Sequence, residues 1–146
     1  MTYLPDINLW IALAAEKHVH HRIARSWFAE LRGDNFVFCR ITQLGFLRLL
    51  TNRHVMQEEV MDPSAAWQAY ASLRSDRRIG YMAEPNDLAE AWDAFTIGAL
   101  SSPNLWTDAY LCAFAVAAGL TFATFDAKIP VREGLNSVVL DMRLER

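Results

Sequence analysis

The sequence predicts an α/β domain with a mainly parallel sheet, and three observations support this. Short apolar runs alternate with longer segments whose apolar residues recur at three- and four-residue spacings, the pattern of strands alternating with helices. Such alternation is typical of right-handed βαβ units. Asp6 and Asp126 also follow apolar runs, and Asp108 opens an apolar helical segment. These are positions typical of the carboxyl edge of a parallel sheet.

The length and composition fit one ordinary domain. The chain has 146 residues, of which 53% are hydrophobic, so it can form a full core. No apolar stretch reaches the roughly 18 residues that a membrane span needs, and no signal-type segment opens the sequence. Cys39 and Cys112 lie in apolar surroundings, which predicts buried free thiols in a reducing cytoplasm. We therefore expect a single cytoplasmic domain covering residues 1–146, with no membrane association.

The charge balance limits how the protein can attract nucleic acid. The formal net charge is -3, so there is no global attraction to a polyanion. Binding to RNA would have to rest on bound metal or on a local basic cluster. One such cluster is formed by Arg74, Arg77 and Arg78.

Two strands and four helices are predicted in the first half of the chain. Pro5 lacks a backbone donor and suits a strand end, Asn8 is a good helix cap, and Asp62 with Pro63 marks a helix start. The predicted strands are residues 3–5 and 36–39, and the predicted helices are residues 9 to about 15, 20–31, 42–50 and 63–73.

The second half is predicted to contain three strands and two helices. Its last helix is apolar nearly all round, which indicates a central position, and Gly119 is placed to end it. The predicted strands are residues 79–83, 120–125 and 138–140, and the predicted helices are residues 87–100 and 108–118.

Asp6, Asp108 and Asp126 are predicted to converge at one edge of the sheet. Carboxylates that lie close together repel unless a cation lies among them. Mg²⁺ and Mn²⁺ prefer oxygen ligands, and a metal-activated water can attack a phosphodiester. The sequence has no nucleophile elbow, phosphate-binding glycine loop or CxxC pair. The three acids therefore predict metal-dependent phosphodiester cleavage.

Each aspartate taken alone also has a purely structural explanation. Asp6 suits a helix cap, Asp126 suits a turn, and Asp108 suits the positive end of a helix dipole. Asp108 is the hardest to explain in this way, because a carboxylate at the front of an apolar helix is costly unless it faces a wet cleft or a cation. The three positions together favour a shared site.

The chain resembles the PIN-domain ribonucleases of the VapC type, the toxins of VapBC toxin–antitoxin pairs. The resemblance covers nearly the whole chain, and it is the spaced set of segments that is specific. The matching segments are LPDINLWIAL at residues 4–13, His20-His21 with Ala24, Trp27 and Phe28, CRITQLGFLRLL at residues 39–50, TDAYL at 107–111 and ATFD at 123–126.

This resemblance implies a PIN-like fold, a three-layer α/β/α arrangement around the mainly parallel sheet. It implies a Mg²⁺- or Mn²⁺-dependent endoribonuclease that acts as the toxin of a type II toxin–antitoxin pair. The implied partners are an RNA substrate, a cognate VapB-type antitoxin that blocks the site, and a second copy of the chain in a homodimer. Asp6, Asp108 and Asp126 match three of the family's acidic positions, and would be both catalytic and metal-binding.

The fourth acidic position of the family commonly carries a glutamate after the threonine of the second motif. We expect Gln43 at that position. An amide still offers a carbonyl oxygen but supplies no charge. The sequence therefore leaves open whether one metal or two would bind.

Supporting roles are predicted for several neighbours of the acids. Asn8 is either a helper of the metal site or the cap of the first helix. Thr107 and Thr124 would orient carboxylates as outer-sphere groups do, or serve as a helix cap and an ordinary strand residue. For Thr124 the strand explanation is favoured.

Three further side chains are candidates for RNA contact. Arg40 and Arg48 flank the second motif, and guanidinium groups match phosphate oxygens, although ordinary surface charge explains them equally well. Trp106 lies beside Asp108 in a Ser/Pro/Asn-rich loop and would contact substrate or partner.

The remaining alternatives concern metal type and function class. His18, His20 and His21 would suit zinc, but no second ligand pair follows at zinc-site spacing, and a solvated loop is favoured. An aspartyl phosphotransferase would use Asp6 as nucleophile, with Lys128 as the suggestive lysine. A catalytically weakened RNA- or antitoxin-binding PIN module is the third class.

Overall fold

The structure is a computed structural model that describes residues 1–140. Five strands alternate with helices along this part of the chain. The strands are β1 Thr2–Pro5, β2 Asn35–Phe38, β3 Ile79–Tyr81, β4 Thr121–Thr124 and β5 Asn136–Val139. The helices are α1 Ile7–Ala14, α2 His21–Glu30, α3 Arg40–Leu50, α4 Arg53–Met56, α5 Pro63–Arg74, α6 Leu88–Thr96 and α7 Leu105–Ala118, with a 3-10 turn at Gln57–Glu59.

The five strands form one sheet in the order β3-β2-β1-β4-β5. All four strand pairs within residues 1–140 are parallel, which confirms the predicted α/β class. β1 and β4 are neighbours, with Pro5 opposite Ala123. The chain that leaves β1 at Asp6 and the chain that leaves β4 after Thr124 therefore emerge side by side at one edge.

Helices cover both faces of the sheet and enclose two separate hydrophobic cores. On one face, residues from α1, α2, α3 and α5 pack around Trp10, Phe36 and Phe38. On the other face, α6 and α7 pack on Leu4 and Phe122. This is the predicted three-layer α/β/α arrangement. The predicted single domain also includes residues 141–146, which lie outside the described residues.

The position of helix α7 explains its apolar composition. Its residues from Ala109 to Ala115 are all buried, because it packs against both the sheet and α6. Gly119 ends it in the left-handed conformation, with φ 69°, as predicted. The predicted start was wrong: the helix begins at Leu105, and the Asp108 amide already donates to the Asn104 carbonyl at 2.9 Å.

Helix caps differ from the prediction at the first helix. Asp6 is the N-cap of α1 and accepts from the Leu9 amide at 2.9 Å, so the prediction that Asn8 caps this helix was wrong. Asp62 does cap α5, accepting from the Ala65 amide at 2.8 Å, as predicted. The short helix α4 was not predicted; Asn52 caps it by accepting from two backbone amides.

Arg78, from the predicted arginine cluster, has a structural role. The guanidinium of Arg78 donates to the Phe28 carbonyl at 2.6 Å and to the Leu31 carbonyl at 3.2 Å, and lies 3.7 Å from the Phe28 ring centre. Arg78 therefore donates to carbonyls at the end of α2 and stabilises the fold.

Both Cys39 and Cys112 are free and buried, as predicted. None of the helices in the described part of the chain is long and apolar enough to span a membrane.

Candidate active site

Asp6 lies at the carboxyl end of the central strand β1, where the chain turns into α1. Its amide donates to the Ala123 carbonyl of β4 at 2.9 Å, which ties this turn to the neighbouring strand. Its side chain uses both oxygens: Oδ1 accepts from the Leu9 amide at 2.9 Å, and Oδ2 accepts from the Thr124 hydroxyl. The carboxylate is therefore fixed in orientation.

Thr124 links two of the predicted acids. Its buried hydroxyl donates to Asp6 Oδ2 and accepts from the Asp126 amide at 3.0 Å. The interpretation of Thr124 as an ordinary strand residue was therefore wrong. Thr107, by contrast, is exposed on α7 and is not the cap of that helix, which is Asn104. Of these two threonines, it is therefore Thr124 on β4 that orients a carboxylate, and not Thr107 on α7.

The carboxylates influence one another electrostatically. Burial raises the pKa of Asp6 to about 6; the Thr124 and Leu9 hydrogen bonds oppose this, and the charges of Asp108 and Asp126 add to it. Burial and the charge of Asp126 also raise the pKa of Asp108, against the opposing charge of Arg132. The three predicted acids thus share one region of unfavourable negative potential. Such a region favours a bound cation.

A cleft of about 410 Å³ opens beside these acids. Five of the residues predicted from the sequence line it, together with six that were not predicted; three of these six are apolar, Ile7, Leu49 and Leu111. The predicted ones are Asp6, Asn8, Arg48, Thr107 and Asp108; the unpredicted ones that are not large apolar residues are Gly45, Asn52 and Asn104. Asn8 therefore contributes to the cleft wall instead of capping α1, and Arg48 brings a positive charge to the cleft. Neither Asn52 nor Asn104 was predicted to line a site.

Asp126 lies at the margin of this arrangement. It is exposed and does not line the cleft, and its Oδ1 accepts from the Lys128 amide at 2.8 Å. It remains coupled to Asp6 through Thr124 and through its charge. Within residues 1–140, no three His, Cys, Asp or Glu side chains gather closely enough to hold a metal ion.

Gln43 does not line the cleft, contrary to its expected place beside the acids. It is buried on α3, and its Oε1 accepts from Arg40 Nη1 at 2.6 Å. Gly45 takes the place in the cleft wall instead. A Cβ at position 45 would contact Ile7 Cδ1 and lie 2.7 Å from Ile7 Cγ1. The glycine thus permits the close approach of α3 to α1 beside Asp6.

Arg40 and Trp106 line a second cavity, of about 390 Å³. The guanidinium of Arg40 lies 5.1 Å from the Tyr81 ring centre. Trp106 is 61% exposed. Thr107 belongs to the walls of both cavities, so the second cavity adjoins the cleft.

The donor set of the cleft fits a hard divalent cation. Asp6 and Asp108 offer carboxylate oxygens, and Asn8, Asn52 and Asn104 offer amide oxygens. Mg²⁺ typically takes one or two carboxylates and retains several waters. Burial is the main cause of the raised pKa values of Asp6 and Asp108, and neighbouring carboxylate charges add to it; a bound cation would compensate those charges.

Comparison with known proteins gives consistent matches. The PIN domain family matches residues 3–134. Ribonuclease VapC41 of Mycobacterium tuberculosis is 43% identical over 128 residues, covering 84% of this chain and 88% of the relative. Ribonuclease VapC39 of the same organism is 34% identical over 130 residues, covering 88% and 91%. The structure of VapBC2 from Rickettsia felis, bound to a DNA fragment from its promoter, superposes with a TM-score of 0.70 at 13% identity, covering 97% of this chain and 100% of that one.

Proposed function

The chain belongs to the PIN-domain family and, within it, to the VapC ribonucleases, and from this premise we propose that it is a divalent-metal-dependent endoribonuclease that acts as the toxin of a type II toxin–antitoxin pair. The observation that carries the proposal is the pair of carboxylates, Asp6 and Asp108, in one cleft, with Asp126 coupled to Asp6 through Thr124.

In the proposed site the carboxylates of Asp6 and Asp108 would hold Mg²⁺ or Mn²⁺, and Asp126 would contribute negative charge at the margin. When bound, such a cation supplies an acidified water and stabilises charge on phosphate oxygens. Thr124 keeps Asp6 Oδ2 in one direction, as outer-sphere groups do for metal ligands. Asn8 and Thr107 offer further polar atoms to the cation's waters.

Arg48 is the proposed phosphate contact of the cleft. It is exposed and lies in the last turn of α3, where it lines the same cleft as Asp6 and Asp108. A guanidinium group matches the geometry of phosphate oxygens. Its positive charge would draw the RNA backbone towards a site that is otherwise acidic, since the net charge of -3 provides no global attraction.

The proposed partners follow from the family. An RNA segment would enter the cleft as a single strand, because unpaired bases can be splayed and reached. A cognate VapB-type antitoxin would occupy the same cleft and block it. We also propose a homodimer and a cytoplasmic location, the compartment in which the free thiols of Cys39 and Cys112 stay reduced.

An RNA cleavage assay with metal and chelator arms tests the proposal. We expect purified protein to cut RNA with Mg²⁺ or Mn²⁺, to stop in EDTA, and to resume when metal is restored. RNA or antitoxin binding without metal-stimulated cleavage would instead support a weakened binding module. A phosphorylated Asp6 trapped during turnover would support the aspartyl phosphotransferase.

A further inference from the structure

The second cavity has the composition of a base-binding pocket. Its volume is about 390 Å³, and most of its accessible wall is apolar. Ile41, Trp92, Trp106 and Tyr110 supply the apolar wall, and Arg40 and Glu84 supply the charged groups. Because Thr107 is shared with the acidic cleft, an occupant of this pocket lies directly beside the chain segment that carries Asp108.

The aromatic side chains of the pocket support one another. The Trp92 ring meets those of Trp106 and Tyr110 edge to face, with centroids 6.4 Å and 5.3 Å apart. Trp92 Nε1 also donates to the Trp106 carbonyl at 3.1 Å. The backbone carbonyl of Trp106 is thereby held, while the residue as a whole remains 61% exposed. An exposed aromatic face is what an unstacked nucleobase requires.

Glu84 gives the pocket a hydrogen-bonding preference. Its Oε1 accepts from the Tyr110 hydroxyl at 2.8 Å, and burial together with this bond raises the pKa of Tyr110, so the hydroxyl stays protonated and donates. A carboxylate accepts several hydrogen bonds, and Oε2 retains that capacity. Guanine presents two adjacent donors on its Watson–Crick edge, N1–H and the N2 amino group. Adenine, cytosine and uracil each present a single donor group on that edge, next to acceptors.

We propose that this pocket binds a guanine base of the RNA next to the cleaved bond, with the base against Trp106 and its N1–H and N2 donors on Glu84. The proposal rests on the proposed function, because it takes RNA as the substrate of the adjoining cleft. Arg40 lines the same pocket and offsets the repulsion between Glu84 and the RNA backbone.

Nucleotide binding without turnover provides the first test. In EDTA, ¹⁵N-labelled protein is titrated with the 5′-monophosphates of guanosine, adenosine, cytidine and uridine, and the tryptophan indole signals are followed. We expect guanosine monophosphate to move the Trp92 and Trp106 signals and to bind more tightly than the other three. The Trp67 signal is the internal control, because Trp67 is also exposed, at 53%, but lies outside the pocket. Equal binding of all four nucleotides, or none at Trp106, would overturn the proposal.

Two variants separate stacking from base choice. Trp106→Ala should weaken guanosine monophosphate binding, and cleavage beside guanosine, by about tenfold, the size of one lost stacking contact, while Trp67→Ala changes neither. Glu84→Gln keeps the size of the side chain and should remove the preference for guanine while stacking persists. Unchanged preference in Glu84→Gln would contradict the assignment of Glu84.

The outcomes also distinguish this proposal from the proposed function. Guanosine monophosphate bound at Trp106 in a protein that never cuts RNA would leave the pocket standing and reject the nuclease. Metal-dependent cleavage without guanine binding would reject the pocket and keep the nuclease. If Trp106→Ala and Glu84→Gln cleave normally but no longer bind the antitoxin, the pocket recognises protein and the proposal is wrong.

Discussion

The hydroxyl of Thr124 donates a hydrogen bond to Asp6 Oδ2 and at the same time accepts one from the Asp126 amide. One buried side chain at the end of β4 thus sets the orientation of the acid at the end of β1. The adjacency of the two strands, with Pro5 opposite Ala123, makes this contact possible. The acidic cleft therefore depends on the parallel pairing of the central strands.

Replacing Thr124 by valine should impair activity more than stability. The substitution keeps the shape of the side chain but removes the donor to Asp6 and the acceptor for Asp126. We expect RNA cleavage to fall roughly 10- to 100-fold, the usual effect of losing a group that orients a metal ligand, and stability to fall by about 1 kcal/mol. Thr124→Ser retains the hydroxyl and should stay within a few-fold of wild type. Equal activity in the valine and serine variants would contradict the orienting role.

The raised pKa of Asp6 predicts a pH-dependent stability in the absence of metal. Folded Asp6 titrates at about 6, above its ordinary value of 3.8, so the folded state binds the proton more tightly than the unfolded chain. This contribution is fully present below the unfolded pKa and is lost as pH rises through about 6, amounting to about 3 kcal/mol at most. Asp6→Asn, which lacks the charge, should be more stable than wild type at pH 8 but not at pH 4.

Urea denaturation in EDTA at the two pH values measures this difference. Asparagine is also a good N-cap, so capping of α1 is retained. A stability difference of the same size at pH 4 and pH 8 would show that the ionisation of Asp6 is not its cause.

Gly45→Ala should destabilise the protein at the wall of the cleft. The new Cβ would lie 2.7 Å from Ile7 Cγ1, and overpacking of this kind typically costs about 1–3 kcal/mol. Gly33→Ala is the matched control, since a Cβ there would meet nothing within 4 Å. Adding Ile7→Ala to Gly45→Ala should recover part of the loss in a thermal unfolding measurement. Additive effects of the two substitutions would contradict the steric explanation.

Gln43→Glu should leave RNA cleavage close to that of wild type, because the side chain bonds to Arg40 and does not line the cleft. The measurement is the initial rate of cleavage across a Mg²⁺ titration. A clear gain in rate or in metal affinity would show that position 43 does reach the cation.

Much of the fold was predictable because its signals are local. Short apolar runs identified all five strands of residues 1–140, and the helix before Gly119, predicted to be central, is buried along most of its length. Helix starts were less predictable, since asparagine is a good cap residue, yet Asn104 is the N-cap of a helix and Asn8 is not. The contact between Thr124 and Asp6 joins positions 118 residues apart, and the approach of Gly45 to Ile7 is set by the packing of α3 on α1. No local pattern encodes either contact.

The most direct measurement of the central claim is the rate of metal-dependent RNA cleavage by Asp108→Asn. Asp108 lines the cleft, and its pKa is raised by burial and by Asp126, so removing its charge should not unfold the protein. Asp93→Asn, an exposed aspartate of α6 outside both cavities, is the control. We predict a loss of roughly 100-fold or more in Asp108→Asn, typical of removing one electrostatic group from a catalytic site, with an unchanged unfolding midpoint and normal activity in Asp93→Asn. Retained cleavage by a folded Asp108→Asn protein would contradict the account.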